Sequence, residues 1–226
     1  MSCDFLIFDF ETVSNIPAEA PIISMGAIAG NWGNSVKELR STGFYRVVSI
    51  KEQLKLGLKP SADTIKWWSE QSREAQEIFK AKNKVTVYQC FEDFHAWCLD
   101  IGITNKTKTF IRAPHFDIVI YNNIMSKIHN SQKFPIPFNH WKVRDIRTAI
   151  DIMYDVDSGY APNKDELLSE YNLISHNALE DCLRDYLQLN QYFEAMTVST
   201  TARSLVVQLA HSHDQLTSIC QTSRFY

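Results

Sequence analysis

The segment Cys3-Asp4-Phe5-Leu6-Ile7-Phe8-Asp9-Phe10-Glu11-Thr12 constrains the fold more than any other stretch of the chain. Phe5 and Ile7 on one parity, and Leu6, Phe8 and Phe10 on the other, are all apolar, which in an extended chain describes a strand covered on both faces in the middle of a sheet. Such a strand does not ordinarily end in two acids. Asp9 and Glu11 fall on the same face, with α-carbons roughly 6.6 Å apart, so their carboxylates can converge on one hard cation. Oxygen donors of this kind suit Mg2+ or Mn2+, and two such ions roughly 3.5–4 Å apart are the usual apparatus for displacement at phosphorus. A solvated strand end, its acids paired with lysine or arginine, would show the same D-x-E pattern, so the remainder of the chain has to decide.

At 226 residues and 45% apolar composition the chain suffices for one large domain, or one domain with an appendage, around a real core. The amino terminus lacks a basic region and soon carries Asp4 and Asp9, and no run approaches 18 apolar residues, so neither secretion nor membrane insertion is expected. Five cysteines at 3, 90, 98, 182 and 220 form no C-x-x-C pair, which argues for reduced thiols in a cytoplasm. A formal charge of −3 speaks against gripping a duplex through many phosphates, although cations bound to an acid cluster would offset much of it. Transient contact with a short single strand stays open.

Ile22 to Ala29 and Gly43 to Ile50 read as the next strands, with Gly30-Asn31-Trp32-Gly33-Asn34 turning between them over a connection longer than a tight hairpin. Leu54 to Pro60 reads as a connector. Ser61 or Asp63 caps a helix through Thr64-Ile65-Lys66-Trp67-Trp68, a second helix spans Arg73 to Ala81, and a third spans Cys90 to Leu99 with Phe91, Phe94, Trp97 and Cys98 on one stripe. Thr109-Phe110-Ile111 is a short buried strand. Gln132 to Asn139 is a loop, Trp141 to Thr148 resumes order, and 155–164 reads as a plain exposed loop whose calcium-loop look fails because Gly159 is one place early. After Ala195 the composition shifts: 197–201 reads as a linker and 202–219 as an amphipathic helix, dividing the chain into 1–195 and 196–226. There is no internal repeat, Gly-rich phosphate loop, H-E-x-x-H or G-x-S-x-G.

Two further stretches bear on the acids of the first strand. After Arg112-Ala113, Pro114 forces a turn, and Ile118, Tyr121, Ile124, Met125 and Ile128 recur at helical spacing, which puts Asp117 in the first turn of a helix, as a cap or as a cation ligand. His115 and Phe116 beside it are candidates for contact with a base, and Arg144 and Arg147 for contact with phosphate. Late in the chain, Leu179, Cys182, Leu183, Tyr186 and Leu187 form the apolar stripe of a helix with Asp181 off the stripe and Asp185 one turn on. On one continuous helix His176 would lie about 140° from Asp181, so His176 belongs to the entering loop, free to reach an ion that Asp181 holds. The pair Trp67-Trp68 reads as core for at least one ring, since adjacent helical residues point about 100° apart.

D-x-E on the first strand, an Asp opening a middle helix, and H-x-x-x-x-D late in the chain together resemble the DEDDh group of 3′–5′ exonucleases, which have a ribonuclease H-like fold. Thr64-Ile65, Trp67-Trp68, Gln71-Ser72, Arg147-Thr148 and His176-Asn177-Ala178-Leu179 are similar, more narrowly, to the exonuclease A subgroup of T-even bacteriophages, related to a mycobacterial-type exoribonuclease. The resemblance covers roughly residues 4–193 and departs from the subgroup at Arg112-Ala113-Pro114-His115, where small residues and Asn stand ahead of the middle Asp. It implies an α/β fold with a mixed central sheet flanked by helices. It further implies two Mg2+ or Mn2+ ions held by Asp9, Glu11, Asp117 and Asp181, with His176 as general base. Thr12, His115, Phe116 and Arg147 are the expected substrate contacts. The activity implied is release of mononucleotides from the 3′ ends of single-stranded DNA in the cytoplasm, that of a host if the chain is phage-encoded. Alternatives are RNA, nucleotide-capped RNA ends, or a non-catalytic nucleic-acid or partner-binding module on the same fold.

Overall fold

A computed structural model of the protein describes residues 2–196 and divides into two compact units, Met1–Leu189 and Asn190–Tyr226. The expected linker at 197–201 and helix at 202–219 lie outside the described residues. The first unit is built on a five-stranded sheet of β1 (Phe5–Thr12), β2 (Ile22–Gly30), β3 (Phe44–Val47), β4 (Lys108–Ile111) and β5 (Val143–Asp145), in the order β3-β2-β1-β4-β5. β1 pairs antiparallel with β2 and parallel with β4; β3 and β5 extend the sheet with the same senses, so the sheet is mixed, as expected, and β1 is central.

The double-sided burial read from β1 is what the two cores use. Leu6, Phe8 and Phe10 face one layer with Phe91, Phe94, Tyr121 and Ile124, from α5 (Val87–Asp100) and α6 (Pro114–Ile128). Phe5 and Ile7 face the other, with Ile146 and Ile150 of α7 (Ile146–Tyr154) and with Cys182, Leu183 and Tyr186 of a helix, α9, that begins at residue 178. Asp9 and Glu11 continue the parity of Phe5 and Ile7, so they are delivered toward α9.

That approach needs Gly26. Asp9 is in register with Gly26 on β2, and a Cβ there would overlap the backbone of Ala178 and Leu179, so α9 can settle on the sheet only over a residue with no side chain. The remaining helices of the unit are α1 (Val36–Thr42), α2 (Lys51–Lys55), α3 (Ala62–Ser69), α4 (Arg73–Lys80) and α8 (Lys164–Glu170).

Three elements differ from the sequence reading. α1 occupies the long β2–β3 connection, held by a capping box in which Ser35 and Glu38 bond each other's backbone amides. α2 was not expected: it fills the gap between the expected strand, which ends at Ile50, and the connector, overlapping that connector only at Leu54 and Lys55. Its single turn is fixed by tertiary contact rather than periodicity, because buried Gln53 accepts from the Ile22 amide at 2.9 Å and donates to the Ile22 carbonyl at 2.8 Å. The segment 155–164 is not a plain exposed loop: Gly159 and Ala161 are buried, the Gly159 carbonyl accepts from Arg112 at 2.7 Å, and the Ala161 amide donates to Gln188 at 2.9 Å.

Candidate active site

β1 and β4 run parallel, so both end at the same edge of the sheet, the edge where open α/β sheets place their ligands. Asp9 and Glu11 arrive there from β1. Asp117 arrives from the first turn of α6, just past the end of β4, and Asp181 from the first turn of α9. These four acids, with Phe10, Arg112, Ala113, His115, Phe116, Arg147, Tyr160, His176 and Arg184, line a cavity of about 330 Å³. Ligand atoms of Glu11, His176 and Asp181 all lie within 4.8 Å of one another. A larger neighbouring cavity of about 490 Å³ shares Phe10, Glu11 and Phe116 with the first and adds Thr12, Ser14, Asn15, Asp63, Thr64, Trp67 and Trp68.

The structure thus brings Asp9, Glu11, Asp117, Asp181, His176, His115, Phe116 and Arg147 to one cavity, and Thr12 to the one beside it. His176 precedes α9 in a turn, with φ of 63°, and its ring meets both Trp67 and Trp68. Asp117 is not the cap of α6: Ala113 holds that position in a left-handed conformation without a side-chain bond. Arg144 is turned elsewhere, donating to the carbonyls of Trp141 and Val143, and Asp145 caps α7 by accepting from Arg147 N and Thr148 N.

Four carboxylates gathered in a mostly buried site raise one another's cost of ionisation. Asp117 is 3% exposed, one of its oxygens has no hydrogen-bond partner, and burial pushes its carboxyl up to about 8, against the opposing backbone amides of Phe10 and of Asp117 itself. Asp9 is raised well above the ordinary range by burial and then by Asp117, Glu11, Asp181 and Asp185; Glu11 is raised likewise by burial and by Asp181. Asp181 is also raised by burial, although Arg184 pulls it down. An orphaned buried oxygen among acids held against ionisation is what a cation site looks like before its cations are added. The donor set, carboxylate oxygens with one imidazole, fits hard divalent ions.

The sequence reading missed the cationic side of this site. Arg112, the residue that departs from the exonuclease A pattern, forms a buried pair with Asp185: its Nε is 3.0 and 3.1 Å from the two carboxylate oxygens and its Nη2 is 2.8 Å from Oδ1. Arg184 bonds Asp181 at 2.7 Å, and Tyr160 lies against both guanidiniums, 4.2 Å from Arg112 Cζ and 5.8 Å from Arg184 Cζ. The i, i+3 spacing of Asp181 and Arg184 was a visible signal. The Arg112–Asp185 pair spans 73 residues of sequence and had none.

The chain matches a family model and is similar to known nucleases in sequence and in fold. A family model described as the 3′–5′ exoribonuclease Rv2179c-like domain matches residues 4–192. The exodeoxyribonuclease of Enterobacteria phage T4 is 27% identical over 205 residues, covering 82% of this chain and 87% of that protein. Among solved structures, the nuclease domain of 3′hExo, a DEDDh family member bound to rAMP, superposes with a TM-score of 0.57 at 16% identity, over 85% of this chain and 93% of that one. Exonuclease I of E. coli in complex with a dA16 oligonucleotide gives 0.55 at 16% identity over 84% of this chain, which spans only 40% of that protein.

Proposed function

Because the chain belongs to the Rv2179c-like 3′–5′ exoribonuclease domain family, and is thereby a DEDDh-type 3′–5′ exonuclease with a ribonuclease H-like fold, we propose that its acid cavity hydrolyses the terminal phosphodiester of single-stranded DNA and releases mononucleotides. The observation that carries this reading is the convergence of Asp9, Glu11, Asp117 and Asp181 with His176 at one sheet edge, with all four carboxyls pushed upward. Asp9, Glu11, Asp117 and Asp181 would hold two divalent ions, Mg2+ or Mn2+. Bound there, such ions lower the pKa of water and neutralise charge on a phosphate and its leaving oxygen.

The chain's own residues do the rest. His176, in the turn ahead of α9 and within 4.8 Å of ligand atoms of Glu11 and Asp181, takes the proton of the attacking water. Arg147, exposed at the cavity wall, supplies positive charge to the phosphate, whereas Arg112 is committed to Asp185 and Arg184 to Asp181. Phe116 and Thr12 line the passage into the larger cavity, where the 3′-terminal nucleoside sits. In a weakly acidic chain of net charge −3, this local positive charge takes the place of an extended basic surface.

DNA is favoured by the phage relative, an exodeoxyribonuclease matched over most of both chains; RNA is the second reading, favoured by the description of the family itself. No helix among the described residues is long and apolar enough to cross a membrane. The test is a digestion ladder of 5′-labelled single-stranded DNA and RNA of one sequence, with Mg2+, with Mn2+ and with chelator, using Asp117→Asn as control. Stepwise shortening that requires the cation and is lost in the variant supports the reading, and the faster ladder names the sugar. Two intact strands under every condition would overturn it.

A further inference from the structure

The wall between the two cavities contains a contact that the hydrolytic roles leave unused. Trp67, 40% exposed on α3, meets the His176 ring with centroids 4.8 Å apart and planes at 84°. Trp68, 2% exposed, meets the same imidazole at 6.1 Å and 77°, and its indole N–H donates to the Thr12 carbonyl at 2.8 Å, which ties the pair to the end of the acid-bearing strand. A base is ordinarily oriented by a third group that hydrogen-bonds its far nitrogen. No hydrogen bond to the His176 ring is found among the described residues, and its backbone sits at φ of 63°, a conformation that side chains with a Cβ disfavour. The acids Glu11 and Asp181 lie near its nitrogens, and the tryptophan pair is what its ring packs against.

Trp67 has a second neighbour. Together with Thr12, Thr64 and Phe116 it lines the cavity of about 490 Å³, which opens beside Glu11 and is walled by aromatic and short polar side chains, the lining that an unpaired base stacks into. Resting on the exonuclease reading above, we propose that Trp67 is a positioning residue: it holds the His176 imidazole over the acids and also forms the wall against which the 3′-terminal base packs. The Trp67–His176 contact is made before a base arrives, and a base packed against Trp67 braces it further. A terminal nucleotide that is paired or lacks its base leaves Trp67, and through it His176, without that bracing, so Trp67 links the demand for an unpaired end to the rate of cleavage and not to binding alone.

Trp67 packs against the base of the reaction and has no atom that ligates a cation, which separates its signature from that of a ligand. The experiment compares wild type, Trp67→Ala and Trp67→Phe on two short strands, one ordinary and one with an abasic 3′-terminal residue. Wild type is expected to lose kcat on the abasic strand by about tenfold, the rate equivalent of one aromatic contact. Trp67→Ala is expected to show that lower kcat on both strands, with no further loss from the missing base, and Trp67→Phe to recover most of the difference. Mn2+ affinity by calorimetry should be the same in all three. In the ion-free protein, the His176 ring proton resonance, identified by its loss in His176→Ala, should move toward its unstacked position in Trp67→Ala.

Equal sensitivity to the missing base in wild type and Trp67→Ala would overturn the proposal, as would an unmoved His176 resonance. If the wild-type chain shortens no strand at all, the exonuclease reading falls instead, and the resonance alone still decides whether Trp67 seats the imidazole.

Discussion

Arg184 Nη1 donates to Oδ1 of Asp181 at 2.7 Å, and both side chains are nearly buried, at 12% and 10% exposed. The helix that delivers the last acid of the cavity therefore also delivers a counter-charge to it, and a cation entering the site meets a carboxylate that already has a partner. Arg184→Gln should destabilise the ion-free protein by about 3 kcal/mol, because Asp181 and Asp185 both lose a buried partner. In saturating Mn2+ the loss should shrink, and Mn2+ affinity should rise several-fold. Thermal melts with and without the ion, together with calorimetric titration, read both effects; an unchanged affinity would mean that the guanidinium does not compete with the ion.

The raised carboxyls make the ion-free fold sensitive to pH in a defined direction. Asp117 moves from 3.8 to about 8 on burial, so the folded chain keeps a proton that the unfolded chain gives up. Stability that is present below the unfolded value is lost as pH rises through about 8, and Asp9, Glu11 and Asp181 shift in the same sense. The melting midpoint in chelator is expected to fall between about pH 6 and about pH 8.5. Saturating Mg2+, which binds the deprotonated acids, should flatten or reverse that slope. A midpoint in chelator that rises over the interval would contradict the burial account.

Asp117→Asn separates the needs of the fold from those of the reaction. The amide removes a charge that costs most when no cation is bound, so near pH 8 in chelator the variant should melt several degrees above wild type, each kcal/mol being worth roughly 2–4 °C in a domain of this size. Its turnover should vanish, and Mg2+ should no longer raise its midpoint as it does that of wild type. A variant that is less stable in chelator would indicate that the unpartnered oxygen is not the source of strain.

The acids were legible because a carboxylate interrupts an apolar pattern, and such breaks show at any sequence distance: Asp9 and Glu11 end a doubly buried strand, and Asp181 sits off an apolar stripe. What lay hidden was whatever tertiary contact alone creates. Gln53 belongs to no expected element until its amide meets Ile22, and Tyr160 looks like a loop residue until two guanidiniums lie against its ring. Ser35 and Glu38 carry a capping box at the spacing S-x-x-E, a signal local to the sequence that sits directly after the turn residues 30–34. Gly26 showed only as a strand residue, although it decides how closely α9 approaches Asp9.

Gly26→Ala tests that approach. The added methyl meets backbone, which cannot rotate away, so α9 must lift from the sheet at Ala178 and Leu179 and carry Asp181 and the turn bearing His176 with it. Overpacking of this kind costs about 1–3 kcal/mol. The loss of kcat in Mg2+ should exceed what the lower midpoint explains, since the folded fraction at 25 °C remains near unity while the acids no longer meet at one point. Activity that merely follows the folded fraction would show that the spacing of β2 and α9 does not set the site.

The Arg112–Asp185 pair carries the last prediction, because it ties three segments together under the cavity: the end of β4, the body of α9 and the loop 155–163. Both side chains are buried, at 8% and 5% exposed, and Arg112 Nη1 also donates to the Gly159 carbonyl at 2.7 Å. Gly159 is itself fixed by a φ of 70° and by Arg147, whose Cγ would lie 2.8 Å from an added Cβ. Arg112→Gln leaves Asp185, beside four other acids, with only the longer 3.4 Å contact from Arg184, which should cost about 3 kcal/mol. It should also speed amide exchange at Gly159, whose N–H donates to Asp151 at 2.7 Å. The double variant Arg112→Met with Asp185→Leu removes both charges and should regain most of the stability, yet not the slow exchange, because no donor then reaches the Gly159 carbonyl. Hydrogen exchange read by mass spectrometry over 155–163, beside melts of the three proteins, distinguishes the contributions. Slow exchange persisting in the double variant would mean that the loop is held by Ala161 and Gln188 rather than by Arg112.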